Sequence, residues 1–516
     1  MQIVLVDPGS SREEINEPIG IGMIAAAVEQ ELGTRAHVSQ YFEPITGLPT
    51  SDEIRQSDVI GISTPLGSLR TVRGLVAKWK LIQPEIKPVL VLGGVIATFA
   101  PESLLSEFPE AIVVIGEGEE AFTLLVKLMQ EVSREHWREV LGEASIPNLK
   151  FRTTRGVVST RRKNVDLSKY PAPSRPFLKQ LVSLGGIVRA ESSRGCSYGR
   201  CTFCAIQHKY NDKIEWRVID VPRIVQELCE LSAAGVRHPY FTDEDFMGAD
   251  PTRALSLARA IANEKDRGNI SGDFSLYVDM RVASILAGKT AHHPSGVTVL
   301  TALQEAGLRE VFVGIESGAG EQAKRYRKPA TTDRNLRALQ ILRRAGLSMD
   351  IGFIFFDPEM TLQEAATNLT FLRSSGLWFH DARLTKEVRL EAGTPLVDDY
   401  QQKNLIAGPL DVDQLTFPYR WRSTQVESVH EVFRAWEAIE QESIYRLQAA
   451  TRGEVPTGTQ RQERREALGT IRAVELDALE MLITLTQQGG DPLTVDLSKF
   501  SRRRGDLVCM ALEKFL

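Results

Sequence analysis

A chain of 516 residues is longer than one ordinary hydrophobic core supports, so two or three domains are expected. Its 42% apolar and 25% charged content is that of a soluble globular protein, and its net charge of −5 supplies no general basic field for nucleic acid. No apolar run approaches the roughly 20 residues of a membrane span, and MQIVLVDPGSS lacks a basic segment followed by a long apolar one, so a cytoplasmic protein with reduced cysteines is expected.

Residues 1–135 alternate between strand and helix. MQIVLVDP, DVIGIST, PVLVLGG and AIVVIG are apolar runs that predict buried strands, and the intervening PIGIGMIAAAVEQELG and VRGLVAKWKLIQPE have helical periodicity. Such a pattern predicts a Rossmann-like parallel sheet covered on both faces, with its ligand beyond the carboxyl ends of the strands. The loops there are DPGSS, STPLGS, GGVIATFAPE and GEGEE. They supply Pro8, Ser63, Thr64, Pro65, Gly93, Gly94, Gly116, Glu117 and Gly118, and their Gly, Ser and Thr content lets backbone amides approach a large ligand closely. No G-x-G-x-x-G follows the first strand, which argues against a dinucleotide, and no Walker-type phosphate loop is present.

Residues 136–180 read as a connector, with a polar helix in SREHWREV, a hairpin around TTRGVV and a proline-rich break at DLSKYPAPSRP. Residues 181–395 alternate strand and helix again, which suggests a full or partial α/β barrel whose active face lies at the strand carboxyl ends. Polar residues collect at those ends: Asp243, Glu244 and Asp245 in YFTDEDF, Tyr277 and Arg281 in SLYVDMR, Glu316 and Ser317 in GIESG. A carboxylate placed there can accept from a ribose hydroxyl or an ammonium, and an arginine can clamp a carboxylate. Lys328, in KRYRKPAT, is either a further site residue or an ordinary solvated lysine. Residues 396–516 form a mostly helical region with GEVPTGT as a linker; Phe417, Tyr419, Trp421 and Trp436 read as packing residues, and SRRRGD as a solvated turn.

The densest chemical signal is SRGCSYGRCTFCAIQHKY, which holds Cys196, Cys201 and Cys204 within nine residues. An odd, closely spaced set suits metal better than disulfides. Two metal readings stand side by side. One is a structural zinc site completed by His208; the other is an iron–sulfur cluster held by three thiolates, leaving one iron open. Cys229 and Cys509 read as buried thiols, not ligands.

This cysteine loop resembles that of the radical S-adenosylmethionine (SAM) superfamily, with one extra residue between its first two ligands. PIGIGMIAAAVEQ, DVIGIST, VLVLGGVIATFAPE and VIGEGEEAF, in that order, resemble the cobalamin-binding domain carried by one branch of those enzymes. The resemblance implies a [4Fe-4S] cluster on Cys196, Cys201 and Cys204, with SAM on the open iron. It implies SAM contacts from Phe203, Asp243 or Glu244, Tyr277, Arg281, Glu316 and Ser317. It further implies cobalamin over the nine loop residues named above, without a histidine beneath the cobalt, because Asp7-Pro8-Gly9 stands where many cobalamin proteins carry one. The expected activity is methyl transfer from SAM through cobalamin to an unactivated carbon of a small metabolite or peptide. The alternative is a non-methylating cyclisation or ring rearrangement. An electron donor such as flavodoxin or ferredoxin is implied, while no nucleic acid or membrane partner is. No acid–base dyad is required, and His208, His292 and His293 read as surface or core histidines.

Overall fold

The computed structural model describes residues 1–10, 14–83, 87–132, 137–329, 331–379, 381–382, 384–452 and 458–515. Ser11 of the DPGSS loop, the start of SREHWREV and most of GEVPTGT therefore lie outside the described residues. The apolar runs of the first third build a sheet. β1 (Gln2–Asp7), β2 (His37–Phe42), β3 (Val59–Ser63), β4 (Val89–Gly93) and β5 (Ile112–Val114) are parallel, in the order β2-β1-β3-β4-β5. The side chains of β1, β3, β4 and β5 are buried on both faces. Helices Ile19–Leu32 and Glu119–Glu131 cover one side, Leu69–Lys80 and Pro101–Glu107 the other. β2 has no counterpart among the apolar runs: its HVSQYF is polar enough for a half-exposed edge. The hairpin at TTRGVV forms as β6 (Leu149–Thr153) and β7 (Gly156–Ser159), and it continues this sheet antiparallel from β5.

Beyond it, β8 (Arg189–Ala190) leads into a short antiparallel ribbon of β9 (Ser193–Gly195) and β10 (Trp216–Val218). β11 (Tyr240–Phe241), β12 (Leu276–Met280), β13 (Leu308–Glu316), β14 (Ser348–Phe353) and β15 (Asp381–Ala382) then join β8 in a parallel six-stranded sheet, ordered β15-β14-β13-β12-β11-β8. The end strands do not pair with each other, so the barrel is partial. Side chains alternate along the strands. Val278, Val311 and Ile351 point outward under the helices, while Tyr277, Asp279, Glu310 and Asp350 occupy the opposite, concave face.

The last hundred residues contain helices Thr424–Glu437, Gln441–Arg452, Gly458–Gln487 and Ser498–Phe515. Val429, Phe433, Leu479 and Leu482 belong to the same apolar cluster as the barrel strands, so this region completes the barrel core. Trp421 and Trp436 pack against that cluster, and Phe417 and Tyr419 against a smaller one around Leu390 and Tyr400. SRRRGD is not a turn. It lies inside helix Ser498–Phe515, and Arg504 is buried there, donating to the carbonyl oxygens of Trp436 (3.2 Å) and Glu437 (2.8 Å). Those carbonyls lie in the last turn of helix Thr424–Glu437, and Glu475 adds an opposite charge at 3.2 Å, which is why a basic residue is drawn inward. Cys509 faces outward on the same helix and is exposed, contrary to its reading as a buried thiol; Cys229 is half-buried against the barrel core.

Because the helical region and the barrel share one core, Phe433→Ala should cost about 3–5 kcal/mol and lower a single cooperative urea transition. A separate, low-stability transition for the C-terminal helices, with the barrel unaffected, would show that the cores are independent.

Candidate active site

The cysteine loop hangs between the ribbon and the barrel. Gly195 has φ 94°, and a Cβ there would lie 2.0 Å from the Glu215 carbonyl oxygen, so only glycine lets β9 pass β10 into the loop. The loop is then tied down on both sides. Thr202 donates from its amide to the Tyr326 carbonyl (3.1 Å) and from its hydroxyl to that of Arg325 (2.9 Å), and Leu396 donates to the Thr202 carbonyl (2.9 Å). Burial pushes the Cys201 thiol up and that of Cys204 up to about 12, so these sulfurs become thiolates once a metal centre supplies positive charge. Among the described residues, no three His, Cys, Asp or Glu side chains converge on a point suited to a single ion. His208 is engaged elsewhere, its Nδ1 2.9 Å from Asp212 and its ring 5.4 Å from that of Phe99. His208 is thus held by other partners, and the three thiols that remain are a donor set that suits an iron–sulfur cluster.

The acidic strand end after β11 turns out to build the loop. Asp243 is fully buried and accepts from the Ser192 amide (2.9 Å) and from the hydroxyls of Ser192 and Ser193. Glu244 accepts from the Gly195 amide (2.9 Å), Lys209 (2.7 Å) and Tyr210 (2.9 Å). Asp245 accepts from the Ser197 hydroxyl (2.7 Å) and from Arg281 (2.8 Å), whose other nitrogen donates to the same hydroxyl (2.6 Å). Arg281 is therefore held one residue from Cys196.

Glu316 closes β13 with φ 66°, a left-handed conformation that is uncommon outside glycine and that marks a position constrained by its surroundings. Its carboxylate pairs with Lys328 at 3.0 Å, and a Cβ on Gly314 would sit 2.2 Å from it, so the strand keeps glycine where the carboxylate lies. Lys328 is not a solvated lysine. Its ammonium is 5.9 Å from the Phe203 ring; burial pushes its pKa down, but the Glu316 carboxylate beside it more than compensates and holds it above the usual value. Phe203, Lys328, Glu316 and Arg281 thus surround the cysteine loop with an aromatic face, a buried carboxylate and two cations, groups that suit an adenosyl ligand with its ammonium, ribose and carboxylate. Ser317 is instead spent on a buried turn with Gln322 and Asn368, and Tyr277 donates to Asp350 (3.0 Å) deep in the barrel.

A cavity of roughly 350 Å³ runs from the carboxyl ends of the first sheet to the barrel mouth. Ser63, Gly93, Gly94, Gly116, Glu117 and Gly118 line it, together with Leu5, Gly61 and Phe122 further in; Arg189, Glu191 and Thr242 line its barrel end. Pro8, Thr64 and Pro65 do not. Thr64 is fully buried, and its hydroxyl bonds the Gly93 carbonyl (2.7 Å) and the Ala97 amide (3.1 Å), holding two loops together. The lining suits a large ligand that needs apolar walls and backbone amides, and among the described residues no histidine belongs to it. Lys209 and Tyr210, just after the third cysteine, also line it, which brings the cysteine loop and the first domain's loops to one space.

Glu117 does more than line the cavity. Its carboxylate accepts from Arg194 (2.7 Å), from Arg217 (3.0 Å) and from the Val165 amide (2.8 Å), and Arg194 also reaches Glu119 (2.7 Å) and Glu191 (2.9 Å). Arg194 stands two residues before Cys196 in the SRGC stretch, and nothing in the sequence singles it out, because its partners lie 75 and 77 residues away.

Below the mouth, the concave face of the barrel is acidic. Tyr240 donates to Asp279 (3.3 Å) and packs edge-on to Tyr277. Burial pushes Asp279 up to about 8 and Glu191 up to about 7. An acid whose folded pKa is raised destabilises the fold as pH rises through its unfolded value toward the folded one. Asp279→Asn should therefore gain roughly 2–3 kcal/mol in urea unfolding at pH 8.5, with no gain near pH 4; equal gains at both pH values would contradict the assignment.

Two family models match the chain: the B12 binding domain over residues 8–126 and the radical SAM superfamily over residues 191–372. Among curated proteins it is 27% identical to 4'-phospho-dehydrooxetanocin synthase of Priestia megaterium over 61% of this chain and 43% of that one. It is 26% identical to hopanoid C-3 methylase of Methylococcus capsulatus over 52% of this chain and 47% of that one. The chain thus spans less than half the length of these two relatives. Among solved structures, the cobalamin-dependent SAM radical enzyme OxsB with aqua-cobalamin bound superposes with a TM-score of 0.79 at 19% identity, covering 100% of this chain and 81% of that one. The radical SAM methyltransferase TsrM from Kitasatospora setae, with cobalamin and a [4Fe-4S] cluster, gives 0.66 at 16% identity, covering 95% and 99%. The domain order and the site lead to one family: with a B12 binding domain feeding a radical SAM barrel, the chain belongs to the cobalamin-binding radical SAM enzymes, whose cofactors are a [4Fe-4S] cluster, SAM and cobalamin.

Proposed function

We propose that the protein transfers a methyl group from SAM, by way of cobalamin, to an unactivated carbon of a small metabolite or peptide. The observation that carries this reading is the single cavity joining the glycine-lined strand ends of the first domain to the barrel mouth beside the cysteine loop. In this reading Cys196, Cys201 and Cys204 hold the cluster, and Phe203, Arg281, Glu316 and Lys328 hold SAM. The backbone of Gly93, Gly94, Gly116 and Gly118, with the apolar walls of Leu5, Val91 and Phe122, holds the corrin and its tail. When bound, these groups supply a carbon-centred radical and a transferable methyl, chemistry that no side chain provides.

The chain's own contribution is placement and exclusion. Leu390, Leu396 and Tyr400, from the segment after the barrel, pack against Phe203 and Tyr326 and cover one side of the cysteine loop. Arg194 fixes that loop to the cobalamin domain, and Lys328 holds the Glu316 carboxylate in place at 3.0 Å. The lumen offers Asp279, Asp350, Tyr240 and Tyr277 to a substrate bearing hydrogen-bond donors, which supports a polar metabolite or a peptide.

A second reading, a cyclisation or ring rearrangement without methylation, draws support from two features of the comparisons. One aligned relative is named a synthase, and another is an anaerobic magnesium-protoporphyrin IX monomethyl ester cyclase from Cereibacter sphaeroides, 25% identical over 51% of this chain. Anaerobic incubation of reconstituted protein with SAM, cobalamin and a reductant separates the two. Methyl transfer yields 5'-deoxyadenosine and S-adenosylhomocysteine together. The first product alone supports rearrangement, and neither product contradicts both readings.

A further inference from the structure

A second groove, of about 570 Å³, adjoins the cysteine loop. Residues 145–147 and 160–164 form one wall, and Asn211, Lys213 and Glu215 the other. Four cations line it, Arg161, Arg162, Lys163 and Lys213, against two carboxylates, Glu120 and Glu215. Both carboxylates are already engaged, Glu120 by Lys163 at 2.7 Å and Glu215 by Arg217 at 3.2 Å, and the exposed Asp212 beside them lies 3.8 Å from Arg162, which leaves Arg161 and Lys213 as the uncompensated charge. Arg161 and Lys213 are exposed and make no ion pair among the described residues. A positive patch thus stands on a chain whose net charge is −5. Ile214, 45% exposed, puts an apolar contact beside it.

The groove touches the backbone that carries the thiols. The Glu215 carbonyl fills the space where a Gly195 side chain would be, next to Cys196, and Ile214 packs on Gly199 between the first two cysteines. Arg162 donates to the carbonyls of His208 (2.6 Å) and Lys209 (3.1 Å), in the helical turn after Cys204. A redox partner seated here would be separated from the cluster loop by little more than one layer of backbone.

We propose that this groove is the docking surface for an acidic one-electron carrier protein, of flavodoxin or ferredoxin chemistry, that reduces the cluster. Opposite charge steers such a carrier to the patch and orients it against the loop. The reduced carrier loses one electron and the cluster gains it; no bond forms or breaks, and no proton has to move. The inference rests on a redox cluster at Cys196, Cys201 and Cys204, not on methyl transfer, so it stands or falls separately from the choice between methylation and rearrangement.

The test follows cluster bleaching by stopped-flow absorbance in anaerobically reconstituted full-length protein, with either reduced flavodoxin or dithionite. The double variant Arg161→Glu/Lys213→Glu should slow reduction by flavodoxin about tenfold or more at low ionic strength, and weaken its salt dependence. Reduction by dithionite should stay within about twofold of wild type. Arg337→Glu/Arg344→Glu, exposed on helix Thr332–Arg344, serves as a control for net charge and should leave the flavodoxin rate within about twofold. An unchanged flavodoxin rate in the groove variant, equal slowing by the control, or equal losses with both reductants would each overturn the proposal.

Discussion

The guanidinium of Arg194 lies buried among Glu117, Glu119 and Glu191, two of them from the first domain and one from the barrel mouth. The arrangement is worth little as net stability, since withdrawing these charges from water offsets most of their attraction. Its value lies in position. Any one of these groups left unpaired in the interior would be costly, so the loop that starts at Ser193 has one place it can occupy relative to the Gly116–Gly118 turn. Burial pushes Glu119 up, but the Arg194 beside it more than compensates and keeps its carboxyl below the usual range. The cysteine loop and the first domain's ligand-facing turn are thereby set in one register, and two cofactors bound at these places would face a common space.

Close backbone approach is the second constraint. Gly195 passes beneath the Glu215 carbonyl, Gly314 leaves room for the Glu316 carboxylate, and a Cβ on Gly248 would fall 1.9 Å from the Trp216 ring. Trp216 in turn donates to the Asp245 carbonyl (2.9 Å), whose side chain holds Arg281 and Ser197. The loop is built from contacts too tight for side chains, and the polar groups at the barrel strand ends serve first to shape it. Only after that are Glu316, Lys328, Arg281 and Phe203 left to meet a ligand.

Much of this was legible in the chain itself. Continuous apolar runs such as IVLVD and VLVLG announce strands covered on both faces, and three cysteines in nine residues announce a metal centre. Other features were not, for physical reasons. Asp243 and Glu244 read as ligand contacts because a strand-end carboxylate looks the same whether it faces SAM or the amides of its own loop. β2 was invisible because an edge strand needs no apolar run. SRRRGD read as a turn because the value of a buried arginine depends on carbonyls more than sixty residues away. Lys328 is ambiguous in the sequence because the Glu316 that pairs with it lies twelve residues away.

The central claim is that the three cysteines hold a cluster with one iron left open, at the edge of the cobalamin cavity. Electron paramagnetic resonance of the dithionite-reduced, anaerobically reconstituted protein, recorded with and without SAM, tests it most directly. The account predicts the signal of a reduced [4Fe-4S] cluster whose g values shift when SAM is added. A cluster signal indifferent to SAM, or a colourless protein holding one zinc and no sulfide, would contradict it.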